Sequence, residues 1–267
     1  MIKQTKIITV AIIGMVIASG IIFYACEKST NKINPIGEDF EKVLNKNYAL
    51  ADAAISVSFA DNPYDYQGEK HNQLLQKFFD EIYQKIDSAQ YARAYVEMAS
   101  LPISDPDAAA ERILGLKDDI ISKEGYNSKF INSLSGISET EKQIVNLYFK
   151  QMQKLPDLNS RIALSKEAES FILQEKGLSP EEKEEILSAF AIYRYSTWFW
   201  DSMESQLVGS VSNYDIYDAI GFYIATKTIL LDDDPDWDIQ DGKDAHAYAS
   251  FVSMVTCFAL REWTCFF

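Results

Sequence analysis

The sequence predicts an all-α protein, a multi-helix bundle of about eight helices whose short connections make neighbouring helices antiparallel. Apolar residues recur at helical spacing along most of the chain. No run alternates apolar and polar residues as a half-buried strand would. Glycine and proline, with 11 and 7 of 267 residues, are sparse, as suits a helical chain.

Composition supports a large folded domain and excludes one class of partner. Fifteen tyrosines, fifteen phenylalanines and four tryptophans are too many for a disordered chain. They are enough, at this length, to fill a sizeable core. The formal net charge of -15 argues against nucleic acid or an anionic lipid surface as a partner, because both are polyanions.

The predicted helices follow one another with short breaks between them. They are residues 38–60, 69–100 (one long helix or two), 107–121, a short helix within 125–136, one from Ser138 to Pro156, and residues 159–176, 180–207, 213–231 and 243–262.

Two helix starts have strong local signals. Residues 138–141 (Ser-Glu-Thr-Glu) form a capping box, in which the serine hydroxyl accepts a backbone hydrogen bond three residues later. Residues 179–182 (Ser-Pro-Glu-Glu) combine an N-cap serine, a proline at the first helical position and acidic residues in the first turn. Gly177 is well suited to end the helix before it.

The first 26 residues predict where the protein is located. Lys3 and Lys6 precede the apolar run 7–22, and the small residue Ala25 stands before Cys26. A basic start, an apolar run and a small residue at the cut are typical of a secretory signal peptide. We therefore divide the chain into a signal peptide (1–25), a flexible tether (26–37) and a helical domain (38–267).

The Ala25-Cys26 pair behind an apolar run resembles the lipobox of bacterial lipoproteins. In that family a diacylglycerol is attached to the cysteine thiol, and a dedicated signal peptidase cleaves before it. The resemblance implies that Cys26 is the lipid-attachment residue, that the lipid bilayer is a partner, and that the protein is anchored outside the cytoplasm, in the periplasm or at the outer surface. Phe23 and Tyr24 make the lipobox atypical, because leucine and a small residue are commoner there.

Two alternatives to lipidation stay open. Residues 7–25 could form an uncleaved membrane anchor, because about 20 apolar residues can span a bilayer. Ordinary secretion with cleavage at another position is the other alternative. Lipidation and the uncleaved anchor both tether the domain to a membrane.

An acidic loop between the last two predicted helices is the candidate metal site. Calcium takes six to eight oxygen ligands, which such a loop could supply. The EF-hand register fails, however, because Trp237 or Asp241 falls where glycine is needed. A solvated acidic loop is the competing interpretation, and calcium is the one cofactor considered. The candidate ligands are Asp232, Asp234, Asp236, Asp238, Asp241 and Asp244.

An aromatic stretch, residues 193–200, is the candidate partner site. On a helix its core-facing stripe includes Tyr193 and Trp200, and this places Tyr195, Trp198 and Phe199 on other sides. A helix that is apolar on several sides is either central in its bundle or lines a groove for a partner. Both interpretations stay open here.

The remaining reactive residues have no catalytic or zinc-binding spacing. Cys257 and Cys265 lie eight residues apart, about 12 Å on a continuous helix, so they can pair only if the helix ends between them. His71 and His246 stand without a second ligand at metal-binding spacing. General-base roles for them are an alternative to structural ones.

The last eighty residues have a faint resemblance to uncharacterised helical lipoproteins of the Bacteroidota, carried by the small-residue helix starts at 218–221 and 244–247 and by the aromatic stretch. It implies no activity. We therefore expect a membrane-anchored extracytoplasmic lipoprotein that acts as a binding or structural module on an unknown protein or small-molecule partner. The alternatives are a hydrolase that uses carboxylates, whose pair the sequence does not identify, and a calcium-binding helical module.

Overall fold

A computed structural model describes residues 35–45, 55–82, 85, 90–122, 125–204, 223, 246–247, 249–252 and 255. Within these residues the chain is a closely packed assembly of helices, and the all-α prediction is confirmed. The helices are α1 (Pro35–Leu44), α2 (Asp65–Lys77, continued by a π-helical turn at Phe78–Ile82), α3 (Tyr91–Ala99), α4 (Pro106–Gly115), α5 (Lys117–Ile120), α6 (Lys129–Ser133), α7 (Glu139–Met152), α8 (Leu158–Gln174) and α9 (Pro180–Glu204).

Helix α9 is the centre of the bundle. It packs most extensively against α2 and α8. Every residue from Ile186 to Thr197 is buried, so this stretch has no solvent-facing side. A helix that is apolar on nearly all sides is surrounded by other helices. Of the two interpretations of the aromatic stretch, this agrees with a helix that is central in its bundle.

Tyrosines and phenylalanines from neighbouring helices fill the core around α9. The ring of Phe190 stacks on Tyr148 of α7 at 3.6 Å between centroids, and Phe40 of α1 lies 6.3 Å from Phe190. Trp200 contacts Phe79 edge to face at 6.1 Å. Such pairs add modestly to the free energy already gained by burying the rings.

The predicted helix starts are confirmed in atomic detail. The hydroxyl of Ser138 accepts from the backbone N–H of Glu141 at 3.1 Å. That of Ser179 accepts from the N–H of Glu182 at 3.1 Å, and the Glu182 carboxylate accepts in return from the Ser179 N–H at 2.7 Å. The predicted opening of α4 at Asp107 is wrong, because Asp105 is the N-cap and Pro106 follows it at the first helical position.

The predicted helix 38–60 is wrong at its end. Helix α1 starts at Pro35, and residues 55–60 are not helical. Their backbone groups form hydrogen bonds with side chains that are distant in sequence. The Ser56 carbonyl accepts from the Lys166 ammonium at 2.6 Å, and the Ile55 N–H donates to Oδ1 of Asn159 at 3.3 Å. Tertiary hydrogen bonds have here replaced the local ladder of a helix.

Two other boundaries differ from the prediction. Residues 65–68, expected as loop, form the first turn of α2. Ile121–Ser122 and Gly125–Tyr126 form a two-stranded antiparallel ladder where no strand was expected. Gly125, the first residue of the second strand, takes a φ of 107°, a conformation that favours glycine.

Among the described residues, none of the helices has both the length and the apolar character needed to cross a bilayer. The predicted signal peptide, nearly all of the tether, and most of the last two predicted helices lie outside the described residues.

Candidate functional site

A buried ion network joins three helices at the centre of the bundle. Arg194 of α9 donates to both carboxylate oxygens of Glu169 of α8, Nε to Oε1 at 2.8 Å and Nη2 to Oε2 at 3.0 Å. Its Nη2 also donates to Oδ1 of Asp65 of α2 at 2.6 Å, and its Nη1 donates to the carbonyl of Val57. The Arg194 and Glu169 side chains are 0% exposed, so the opposite charges are paired in the interior.

Neutral side chains complete the hydrogen bonding of this network. Asn62 donates to Oε2 of Glu169 at 2.7 Å, and Ser165 donates to Oε1 at 3.1 Å. Ser165 also shares a 2.8 Å hydrogen bond with the hydroxyl of Tyr148. Burial disfavours the charged guanidinium, but Glu169 and Asp65 more than offset it and raise the pKa of Arg194 above its ordinary value.

The second oxygen of Asp65 is equally occupied. It accepts from the Tyr195 hydroxyl at 3.0 Å, the Ser58 hydroxyl at 3.1 Å and the Phe59 N–H at 3.2 Å. Burial first, and then the charge of Asp65, raise the pKa of Tyr195 to about 12, so its hydroxyl remains a donor at neutral pH. The hydrogen bonds of these carboxylates therefore connect α2, α8 and α9 within the core.

The last described residues contact α2 at both histidines, and the Ser250 hydroxyl donates to the His71 carbonyl at 3.1 Å. His71 is fully buried, and its Nδ1 lies 3.1 Å from Oδ1 of Asn72, whose amide donates to the Tyr195 carbonyl at 2.7 Å. His246 Nδ1 lies 3.2 Å from Oε1 of Gln67. Burial lowers the pKa of His71 to about 4, although the hydrogen bond with Asn72 acts in the opposite direction, so its ring is neutral at physiological pH.

The structure separates the three residues of the predicted partner groove. Tyr195 is 8% exposed and Phe199 is 2% exposed, whereas Trp198 is 44% exposed. Tyr195 and Phe199 are buried because α9 is covered by helices on more sides than one apolar stripe implied. Trp198 alone of the three presents a large exposed surface.

The other predicted site residues lie outside the described part of the chain. These are Cys26, Asp232, Asp234, Asp236, Asp238, Asp241, Asp244, Cys257 and Cys265. Within the described residues, no group of three or more histidine, cysteine, aspartate or glutamate side chains is placed to hold a metal ion.

A polar pocket of about 580 Å³ lies between α7 and the loop that leads from the strand Gly125–Tyr126 into α6. This volume is within the usual range for a small-molecule site. Its described lining residues are mostly amides and hydroxyls. They are Tyr126, Asn127, Ser128, Gln143, Asn146, Leu147 and Lys150.

Hydrogen bonds hold part of this lining in place. The Tyr126 hydroxyl donates to Oδ1 of Asn146 at 2.6 Å, and Nδ2 of Asn146 donates to Oδ1 of Asn132 at 2.8 Å. Burial raises the pKa of Tyr126 far above its ordinary value, so the phenol remains a donor. The ring of Tyr126 also packs against Phe149, with centroids 5.5 Å apart. The amide of Asn146 is therefore fixed in orientation.

The sequence analysis did not predict this pocket, although the sequence pattern of α7 indicates the part of the lining that this helix contributes. Gln143, Asn146, Leu147 and Lys150 recur at intervals of three and four residues and so share one face of α7. The other half, residues 126–128, is brought opposite by the short ladder and turn, which no local pattern indicated.

No family model, no curated protein and no solved structure matches this chain.

Proposed function

We propose that this protein is a membrane-tethered extracytoplasmic lipoprotein whose helical domain binds a ligand or partner and does not catalyse a reaction. The tether is supported by the basic, apolar and Ala25-Cys26 pattern of the N-terminus. Two or more acyl chains on Cys26 would hold the domain stably at a bilayer.

The polar pocket is the observation that carries the binding half of the proposal. A carboxylate-dependent hydrolase needs two carboxyl groups facing each other across its substrate, as in glycoside hydrolysis. The described lining of the pocket has amides, hydroxyls and one lysine, but no carboxylate. Asp65 and Glu169, two acids that come together elsewhere in the described residues, are engaged by Arg194 inside the core. This arrangement favours binding over hydrolysis.

The tether is tested by replacing Cys26. We expect Cys26→Ala to abolish incorporation of labelled palmitate and to release the domain from the membrane fraction, because the thiol is the proposed acylation site. Cys265→Ala is the matched control and should retain both. Palmitate labelling and membrane retention that survive in Cys26→Ala would contradict the lipoprotein proposal.

The binding half is tested by site-specific photo-crosslinking in native membranes. A photo-reactive residue at Lys150, which is exposed and lines the pocket, should capture the bound molecule. The same residue at Lys154, also exposed and just beyond the end of α7, should not capture it. Equal capture at the two positions would argue against the pocket as the site. Release of a chemically altered ligand would favour the hydrolase.

A further inference from the structure

We infer that the polar pocket between α7 and the 126–128 loop is a saccharide-binding site. The inference rests on the proposed function, because it names the ligand class of that same pocket.

The chemistry of the lining matches hydroxyl groups. Gln143 presents a carbonyl acceptor beside an NH₂ group with two donors. In Asn127 and Asn146 the side-chain oxygen already accepts one hydrogen bond, from the Lys129 N–H at 3.1 Å and from the Tyr126 hydroxyl at 2.6 Å, and each oxygen has a second lone pair. Ser128 adds a hydroxyl that can both donate and accept, and the Tyr126 oxygen, whose hydrogen is donated to Asn146, can accept. Each hydroxyl of a sugar offers one donor and two lone pairs, so neighbouring hydroxyls pair with an amide through both of its ends.

Other ligand classes fit this lining poorly. A divalent cation requires several oxygen ligands, usually including carboxylates, and the described lining has no carboxylate. A lipid chain or apolar cofactor requires a mainly hydrophobic wall, and Leu147 is the single aliphatic side chain in the described lining. A phosphate group is usually held by an arginine fork or several cations, and Lys150 is the one cation there.

Two polar side chains of the lining, Ser128 and Gln143, have hydrogen-bonding groups available to a ligand. Ser128 precedes α6, but its side chain makes no capping hydrogen bond. Gln143 makes no side-chain hydrogen bond with the described residues; its amide lies against α1, where a Cβ on Gly37 would come within 2.4 Å of it. Asn146 is meanwhile oriented by Tyr126 and Asn132. The pocket thus combines a fixed amide with unpaired groups, which lowers the ordering cost of binding.

The position of the pocket suggests where the saccharide comes from. Gln143 lies against Gly37 of α1, and α1 begins nine residues after Cys26. Nine residues span at most about 30 Å even when fully extended. If Cys26 is acylated, the pocket lies close to the membrane surface. A free oligosaccharide and the sugar headgroup of a membrane glycolipid share the required chemistry, and the experiment separates them.

The test uses the full-length acylated protein in phosphatidylcholine nanodiscs. An array of immobilised neutral and acidic oligosaccharides is the probe. We expect saturable binding to at least one saccharide. Acidic forms should be preferred by no more than about fivefold, because Lys150 is exposed to solvent. The bound saccharide is then titrated free in solution and, separately, as a lipid-linked headgroup in phosphatidylcholine vesicles. Tighter binding to the vesicles identifies a glycolipid, and equal binding identifies a free saccharide.

Matched variants inside and outside the lining link the binding to the pocket. Gln143→Ala should weaken saccharide affinity by about two- to twelvefold, the value of a hydrogen bond, and Ser128→Ala should weaken it similarly. Gln151→Ala, on the same helix but outside the pocket lining, should leave affinity unchanged. Unchanged far-UV circular dichroism and melting temperature will show that each variant is folded.

Either of two results would overturn the saccharide assignment: no saturable binding to any saccharide on the array, or equal affinities for Gln143→Ala and Gln151→Ala. These failures are distinct from failure of the proposed function. If a non-saccharide molecule is captured through Lys150, the saccharide assignment is wrong, but the protein is still a binding lipoprotein. If Cys26→Ala is retained in the membrane, the proposed lipid anchor is wrong, but the saccharide assignment is unaffected.

Discussion

Arg194 and Glu169 form a two-point ion pair in the interior, with N–O distances of 2.8 and 3.0 Å and both side chains 0% exposed. The planar guanidinium matches a carboxylate in this geometry, which a lysine cannot reproduce. A buried pair of this kind contributes modestly to net stability, but breaking it is costly because one charge is left without a partner.

Replacing Arg194 by methionine should therefore destabilise the domain strongly. Glu169 would remain buried without its main partner, and we expect the free energy of unfolding to fall by about 3–5 kcal/mol. Urea denaturation followed by circular dichroism measures this. Arg93→Met is the control, because the Arg93–Asp107 pair is exposed, and it should change stability little. Equal losses in the two variants would contradict a structural role for the buried network.

His71 should make the domain less stable in mild acid. Its pKa is lowered to about 4 in the folded protein, compared with about 6.5 when unfolded. Between these values the unfolded chain binds the proton and the folded chain does not, so stability is lost as pH falls from about 6.5 toward about 4. The shift corresponds to a loss on the order of 3 kcal/mol. Below the lower value the loss should level off.

Denaturation curves at several pH values test this prediction. His71→Gln removes the titrating ring, so its unfolding free energy should depend less steeply on pH in this interval than that of the unmodified protein. His246→Gln, at a half-buried position, should retain most of the slope. A steep slope that persists in His71→Gln would mean that other groups are responsible for it.

The start of α9 depends on the hydroxyl of Ser179. Its hydrogen bond from the Glu182 N–H is matched by one from the Ser179 N–H to the Glu182 carboxylate. Ser179→Ala removes one bond of this capping box and should cost about 1 kcal/mol. Thermal denaturation measures this. Ser135→Ala is the control, because Ser135 is an exposed serine in the turn before α7. A melting temperature equal to that of the control would show that the cap is dispensable.

Two tryptophans two residues apart on α9 should behave oppositely. Trp200 is 3% exposed and contacts Phe79 and Phe199, so Trp200→Ala should lower the free energy of unfolding by about 3–5 kcal/mol. Trp198 is 44% exposed, and Trp198→Ala should cost less than about 1 kcal/mol. Chemical denaturation compares the two. If Trp198→Ala proves as destabilising as Trp200→Ala, Trp198 is part of the core and not a surface available to a partner.

Helix starts could be predicted because their determinants are local. The hydrogen bonds at Ser138 and Ser179 connect residues three apart, so the signal is contained in four consecutive letters. The burial of α9 could be predicted in outline from its aromatic residues. Which of Tyr195, Trp198 and Phe199 remained exposed could not, because it depends on how many helices cover α9.

The end of the predicted helix 38–60 failed for the opposite reason. Nothing within residues 55–60 indicates that the Val57 carbonyl accepts a hydrogen bond from Arg194, which is 137 residues away in sequence. A buried guanidinium needs acceptors, and the non-helical backbone supplies one of them. A long-range requirement has outweighed a local helical preference.

By itself the sequence determined the helical class, the capped helix starts and the expectation of an N-terminal membrane tether, because each depends on short runs of neighbouring residues. Only the tertiary structure decided that Arg194 pairs with both Asp65 and Glu169, and that Gln143 and Asn146 face residues 126–128 across a polar pocket. The physical reason is that charge burial and pocket formation are properties of groups far apart in the chain. Their partners are selected when the helices pack, and no local pattern contains that choice.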